Sequence, residues 1–123
     1  MKKAVSSPHV HEPFGPYSIA IEKNGVLYVS GQGPFDREKR LVGDDITSQT
    51  RQTLENLRHL LQDNGYSLDD VVKVTVYLQD IADWGTFNSV YEQVFANEPR
   101  PARTVVSCAL NGMLVELDCI AVR

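Results

Sequence analysis

Apolar and polar positions follow two rhythms along this chain. Val72, Val74, Val76 and Leu78 alternate with Lys73, Thr75, Tyr77 and Gln79, the period of two expected for a strand with one buried face. Ile46, Thr50, Leu54, Leu57, Leu60 and Leu61 recur at helical spacing. With Asp44 or Asp45 as N-cap and Asn64-Gly65 as stop, they predict a helix of about five turns. Asp83 opens a second stripe, Trp84, Phe87, Val90, Tyr91, Val94 and Phe95, which Pro99 and Pro101 end, so a helix of about four turns is expected there. The β-rich runs Tyr17 to Glu22 and Val26 to Ser30 flank Lys23-Asn24-Gly25, and Thr104 to Leu110 and Met113 to Val122 flank Asn111-Gly112. Asparagine followed by glycine between such runs predicts a hairpin in each case. The segment from Gly31 to Asp45 reads as a loop. The order β-β-α-β-α-β-β implies an α+β fold, with both helices on one face of a mixed sheet. The other face has no cover of its own, which favours an oligomer.

Composition narrows the function classes. A chain of 123 residues, 42% hydrophobic and 23% charged, is one globular domain spanning 1-123. Its formal net charge is -4 and no basic cluster exceeds Lys2-Lys3, so no nucleic-acid partner is expected. No apolar run reaches the ~20 residues of a membrane span, and the first residues lack the apolar core of a signal peptide. No membrane partner and a cytoplasmic location are therefore expected. Cys108 and Cys119, the only two cysteines, read as small core residues rather than a disulfide.

Candidate chemistry concentrates near the C-terminus. In a two-residue turn at Asn111-Gly112, Ser107 opposes Glu116, Val105 opposes Asp118 and Arg103 opposes Ile120. Arg103, Glu116 and Asp118 then share one sheet face, opposite an apolar face that includes Val106, Cys108, Leu117 and Cys119. Two carboxylates in an apolar strand need a partner. Either Arg103 forms a structural ion pair with them, or Arg103 grips a substrate carboxylate while Glu116 moves a proton or activates water. Gly15-Pro16-Tyr17 and Ser30-Gly31-Gln32-Gly33-Pro34 bring backbone close to a ligand or are ordinary turns. Asn88 lies at the edge of its helix stripe, as a half-buried hydrogen bonder or a surface residue. No dinucleotide fingerprint, phosphate loop, serine elbow or zinc-hydrolase motif occurs. His9 and His11 have no further ligand near them in sequence and His59 stands alone, so neither a metal nor a cofactor is expected.

Several blocks together resemble one family. They are Gly15-Pro16-Tyr17-Ser18, Tyr28-Val29-Ser30-Gly31-Gln32, Gln49 to Leu57, Asp69 to Leu78, Asn88 followed by Tyr91, Pro101-Ala102-Arg103-Thr104 and Val115 to Ala121. In this order they are similar to the Rid (YjgF) family of reactive-intermediate deaminases, most of all its RidA branch, over nearly the whole chain. The resemblance implies a chorismate-mutase-like fold, a homotrimer with pockets between subunits, and no cofactor. It also implies hydrolysis of enamines and imines, such as 2-aminoacrylate and 2-iminopropanoate, to 2-keto acid and ammonia. Arg103 would grip the carboxylate, Glu116 would activate water, and Tyr17, Ser30, Gly31 and Asn88 would line the pocket.

The chain departs from the family pattern at Gly33, where isoleucine is common, at Ile19, where glutamine is common, and at Val105, where some members carry cysteine. His11 and Phe14 replace smaller residues, and the Cys108 to Met113 turn looks shorter. A larger, aminomuconate-like acid is thus an alternative substrate, and a non-catalytic 2-keto-acid-binding module an alternative role. Ribonuclease activity, attributed to relatives, has the least support from an acidic chain.

Overall fold

The computed structural model describes all residues from Met1 to Arg123. Strands β1 (Lys3–Val5), β2 (Ala20–Lys23) and β3 (Val26–Gln32) precede helix α1 (Ile46–Asp63). Strand β4 (Val71–Leu78), helix α2 (Trp84–Val94), β5 (Ala102–Ser107) and β6 (Val115–Val122) follow. The α+β class and the β-β-α-β-α-β-β order are as expected, with β1 added at the front. No helix is long and apolar enough to cross a membrane.

Local signals act where the pattern placed them. Lys23 pairs with Val26 across Asn24 (φ 54°) and Gly25 (φ 77°), the left-handed pair that a two-residue turn between twisted strands requires. The Asp45 carboxylate caps α1 by accepting from Ser48 N at 2.7 Å, and the helix stops at Asn64, before Gly65 at φ 82°. Tyr17 falls outside β2, in the bend after Gly15. β3 continues through Ser30 and Gly31 to Gln32, with a bulge against β6 between Val29 and Gln32, so the expected loop begins later than Gly31.

The sheet order is β1-β2-β3-β6-β4-β5, and it overturns the second hairpin. Asn111 (φ 51°) and Gly112 (φ 99°) do form a tight turn, closed by Met113 N donating to Leu110 O at 3.2 Å. Yet β5 and β6 do not pair, because β4 lies between them, parallel to β5 and antiparallel to β6. β4, α2 and β5 form a crossover unit, which brings β5 back alongside β4 in the same direction. Val74, Val76 and Leu78 are fully buried and take neighbours from both edges, as the central strand of the α2-side half of the sheet.

Both helices cover one sheet face. The core of 22 buried residues joins Leu54, Leu57, Leu60 and Leu61 of α1 and Phe87, Val90 and Tyr91 of α2 to Val74, Val76, Leu117 and Cys119 of the sheet. The cysteines are both free, Cys119 buried and Cys108 exposed, so Cys108 is not a core residue. Thr104 and Val106 are exposed too, while Arg103 and Val105 turn to the helix side. The uncovered face carries Tyr28, Thr75, Tyr77, Glu116 and Asp118.

Candidate active site

Two separate recesses divide the candidate residues. The first, a cavity of about 360 Å³, is lined by His11, Phe14, Tyr17, Gly31, Gly33, Phe35, Asn111, Met113 and Glu116. Glu116 reaches it from β6, across from Tyr77 of β4. A Cβ on Gly31 would stand 2.8 Å from Glu116 Oε1, so glycine lets the carboxylate lie directly on the β3 bulge. Burial, and secondarily the Asp118 charge, push the Glu116 pKa above the ordinary carboxylate value, which is what a group that both accepts and returns a proton needs. Tyr17 is fixed by its hydroxyl, which accepts from Phe14 N at 3.1 Å.

Ser30 is not a lining residue of this cavity. Its hydroxyl donates to Ser18 O at 2.6 Å and its amide to Ile19 O at 2.9 Å, so it ties the bulged strand to the segment after Tyr17.

The second recess, about 280 Å³, is lined by Asn88, Tyr91, Glu92, Arg100, Pro101 and Arg103. Arg103 lies with its guanidinium carbon 4.7 Å from the Tyr91 ring centroid and 5.8 Å from that of Phe87, a stacked cation on an aromatic floor. None of the chain's seven ion pairs includes Arg103. Beside it, Asn88 Oδ1 and Tyr91 OH are buried without a hydrogen-bond partner. Burial pushes the Tyr91 hydroxyl up to about 12, against the opposing effect of Arg103, so it stays protonated as a donor. The Tyr91 hydroxyl, an unpaired donor beside a free guanidinium, fits an incoming anion, while Asn88 Oδ1 is an acceptor open to a ligand N–H or O–H.

The shared face expected for Arg103, Glu116 and Asp118 is therefore corrected. Val74 stands between Arg103 and Cys119, whereas Tyr77 stands between Val106 and Glu116. Arg103 thus belongs to the helix side and Glu116 to the uncovered side, which removes the ion pair within one chain. Asp118 does stay on the Glu116 side, where it accepts from Tyr77 OH at 3.2 Å.

The sequence pattern assigned no site role to Phe35, Met113, Gln49 or Asn56, although Gln49 and Asn56 fall in a block that carries the family resemblance. The ring centroids of His11, Phe14 and Phe35 lie 4.7 Å, 5.0 Å and 6.0 Å apart in pairs and form an aromatic wall. Gln49 and Asn56 are buried on α1 and hold the loops that carry this wall. Asn56 Nδ2 donates to Gly33 O and Phe35 O, and Gln49 Oε1 accepts from Leu114 N at 2.9 Å. Their signal was present as polar residues at positions 49, 53 and 56, on the same helical face as Leu60. A groove of about 500 Å³ between α1 and α2, lined by Arg51, Glu55 and Arg58 among others, holds none of the candidate residues.

Comparison with known proteins agrees in both sequence and shape. The sequence model of the family described as Endoribonuclease L-PSP matches residues 8–123. A RutC family protein of Pyrococcus horikoshii is 42% identical over 98% of each chain. A Salmonella typhimurium protein named 2-iminobutanoate/2-iminopropanoate deaminase is 33% identical over 100% of this chain and 99% of its own. The crystal structure of YyfA from Yersinia pestis, a protein of the Rid family, superposes with a TM-score of 0.95 at 37% identity, covering 100% of both chains.

Proposed function

The chain belongs to the endoribonuclease L-PSP family, which includes the RutC and Rid (YjgF) proteins, and from that membership we propose that it hydrolyses 2-imino acids and their enamine tautomers to 2-keto acid and ammonia. The observation that carries this reading is the Glu116 carboxylate, half-buried at a cavity wall where Gly31 leaves no Cβ between it and the bulged strand, with burial pushing its pKa up. The relative named as a deaminase supports it.

The reaction makes modest demands. An enamine tautomerises to an imine, which is electrophilic. Water then adds its oxygen to the C=N carbon while its proton passes to Glu116. That proton returns to nitrogen and gives a carbinolamine; Glu116 then takes the hydroxyl proton and passes it to the amine, so that the C–N bond breaks and ammonia leaves as the carbonyl forms. Arg103 takes the substrate carboxylate through its planar fork, Tyr91 OH adds a donor beside it, and Asn88 and Tyr17 complete the lining. Gly31 shapes the approach, and Ser30 holds its strand.

Arg103 and Glu116 lie on opposite faces of one sheet, so one site that uses both takes them from two copies of the chain. Such a contact joins two unlike patches, and heterologous contacts form a ring where the rotation between copies closes. The ring implied by the family resemblance is a homotrimer, with sites between subunits. The aromatic wall of His11, Phe14 and Phe35, with Met113, favours a second reading of substrate size, in which the imine carries a larger side chain than 2-iminopropanoate. A net charge of -4 gives no overall attraction to a phosphate backbone, so the ribonuclease in the family's description is not the activity proposed.

The test is release of ammonia and keto acid from a panel of imines generated in situ by an amino-acid oxidase. Release accelerated over the uncatalysed rate is expected. No acceleration with any imine overturns the deaminase in favour of a keto-acid-binding module.

A further inference from the structure

His59 and Asp63 sit four residues apart on α1, one turn along the same face. The N-terminal arm is fastened beside them. Asn64 Nδ2 donates to Ser6 O at 3.0 Å, Ser7 Oγ donates to Asp63 Oδ2 at 2.5 Å, and His9 N donates to Ser7 Oγ at 3.0 Å. The arm thereby places His9 over His59 with ring centroids 4.3 Å apart and planes 21° from parallel, and His9 Nδ1 lies 2.8 Å from Asp63 Oδ2. Fifty residues of sequence separate the two histidines, which is why the chain alone gave no ligand set. His11, the expected neighbour in an HxH pair, turns away to Glu12 O at 2.6 Å.

We propose that His9, His59 and Asp63 form a binding site for one divalent transition-metal ion of the zinc type. One ligand atom from each of the three lies within 4.8 Å of the others. Tetrahedral zinc, with bonds of about 2.0–2.1 Å, separates its donors by about 3.4 Å. The wider pairs close by at most about 1.5 Å while His9 Nδ1 and Asp63 Oδ2 open from 2.8 Å, changes within reach of side-chain torsions. Room for them exists, because the His9, His59 and Asp63 side chains are 54%, 25% and 29% exposed. Ser7 Oγ and His9 Nδ1 both meet Asp63 Oδ2, which fixes the oxygen ligand beside the two imidazoles. Two imidazoles with one carboxylate suit zinc, nickel or copper and not the hard cations magnesium and calcium. Glu55 Oε1 lies 3.2 Å from His59 Nε2 and is also held by Arg58, so it orients the His59 ring, and a water would complete the four ligands.

The ion clamps the arm onto α1. The same arm continues through His11, Phe14 and Tyr17, which line the Glu116 cavity, so the clamp also orders one wall of that cavity. The site depends on three side chains outside both recesses, and its test is independent of whether the chain hydrolyses imines.

Calorimetric titration of the full chain with zinc chloride at neutral pH is expected to show one ion per chain and a rise in Tm, with magnesium chloride doing neither. His59→Ala and His9→Ala should each weaken zinc binding by at least ~10-fold. Cys108→Ser should leave it unchanged, which separates this site from capture by the exposed thiol. In the parent protein zinc should move the NMR imidazole signals of His9 and His59 further than those of His11. Absence of zinc binding, undiminished binding in both histidine variants, loss of binding in Cys108→Ser, or movement of His11 alone overturns the site.

Discussion

Arg103 and Glu116 sit on opposite faces of the same sheet, two strands apart. Both flank β4, but Arg103 is opposite the buried Val74 while Glu116 is opposite Tyr77. Residues an odd number apart along a strand face opposite ways, so no rotamer brings the two side chains together in one chain. Arg103 instead lies on Tyr91 and Phe87 with a free guanidinium, and Glu116 closes on Gly31. A cation grip and a proton carrier each lack the other.

Arg103→Ala is expected to lower imine hydrolysis at least ~100-fold, because a guanidinium on a substrate carboxylate in a partly dry recess acts through charge-assisted hydrogen bonds. The fold should survive, since the side chain's cation–π contacts with Tyr91 and Phe87 are worth about 0.5–2 kcal/mol. Arg103→Lys should recover only part of the rate, as an ammonium lacks the planar fork. Turnover assays beside circular dichroism decide it, and a fully active alanine variant removes Arg103 from the site.

Gly31→Ala probes the other half. The added Cβ would meet Glu116 Oε1 at 2.8 Å and Cδ at 3.0 Å, so the carboxylate has to swing away from the bulge. A displacement of about 1 Å at a reacting group costs up to ~100-fold. A fall in kcat of at least ~10-fold with Tm within a few degrees is expected from steady-state kinetics and thermal melts.

The elements were legible because their signals are local. Capping by Asp45 and the left-handed residues at Asn24-Gly25 and Gly65 place α1 and the first hairpin nearly where the pattern did. The same logic misplaced the partner of β6. A turn at Asn111-Gly112 states only that the chain reverses, and the crossover through α2 had already put β5 on the far edge of β4. In the misread hairpin, Arg103 faced Ile120 and shared a face with Glu116; with β4 inserted, the parity flips and Arg103 joins the helices. The residue types at Arg103, Glu116, Tyr17, Gly31 and Asn88 were readable, whereas their division between two recesses depends on register that spacing does not encode. Phe35 and Met113 were hidden for a similar reason, since the buried Asn56 and Gln49 bring in the loops that carry them.

Glu116→Gln should separate binding from chemistry. If the carboxylate grip belongs to Arg103, pyruvate or 2-ketobutyrate binds with nearly unchanged affinity while imine turnover falls at least ~100-fold. Parallel losses in affinity and rate point to a structural Glu116. Stability gives an independent sign. Burial raises the folded-state pKa above that of the unfolded chain, so stability present at low pH is lost as pH rises through the folded-state pKa. The glutamine variant escapes that loss. Its Tm should exceed the parent's at pH 7, and the gain should shrink toward zero as pH falls through the carboxylate range.

The strongest test of a shared site mixes two inactive proteins. If each site takes Arg103 from one copy and Glu116 from its neighbour, Arg103→Ala and Glu116→Gln chains damage different halves. In a ring mixed at equal ratio, a site is intact only where the copy giving arginine is the glutamine variant and the copy giving glutamate is the alanine variant. That pairing occurs at about one site in four for random heterologous assembly. Co-refolding the two variants should therefore restore about a quarter of parental turnover, while each alone stays inactive. A site built within one chain gives no recovery at any ratio, because every chain then carries one lesion in its own site. Light scattering on the same samples should give three times the 13.8 kDa chain mass. A monomer mass persisting as concentration rises, or a flat activity in the mixture, removes the interfacial site, and Arg103 and Glu116 then belong to separate functions.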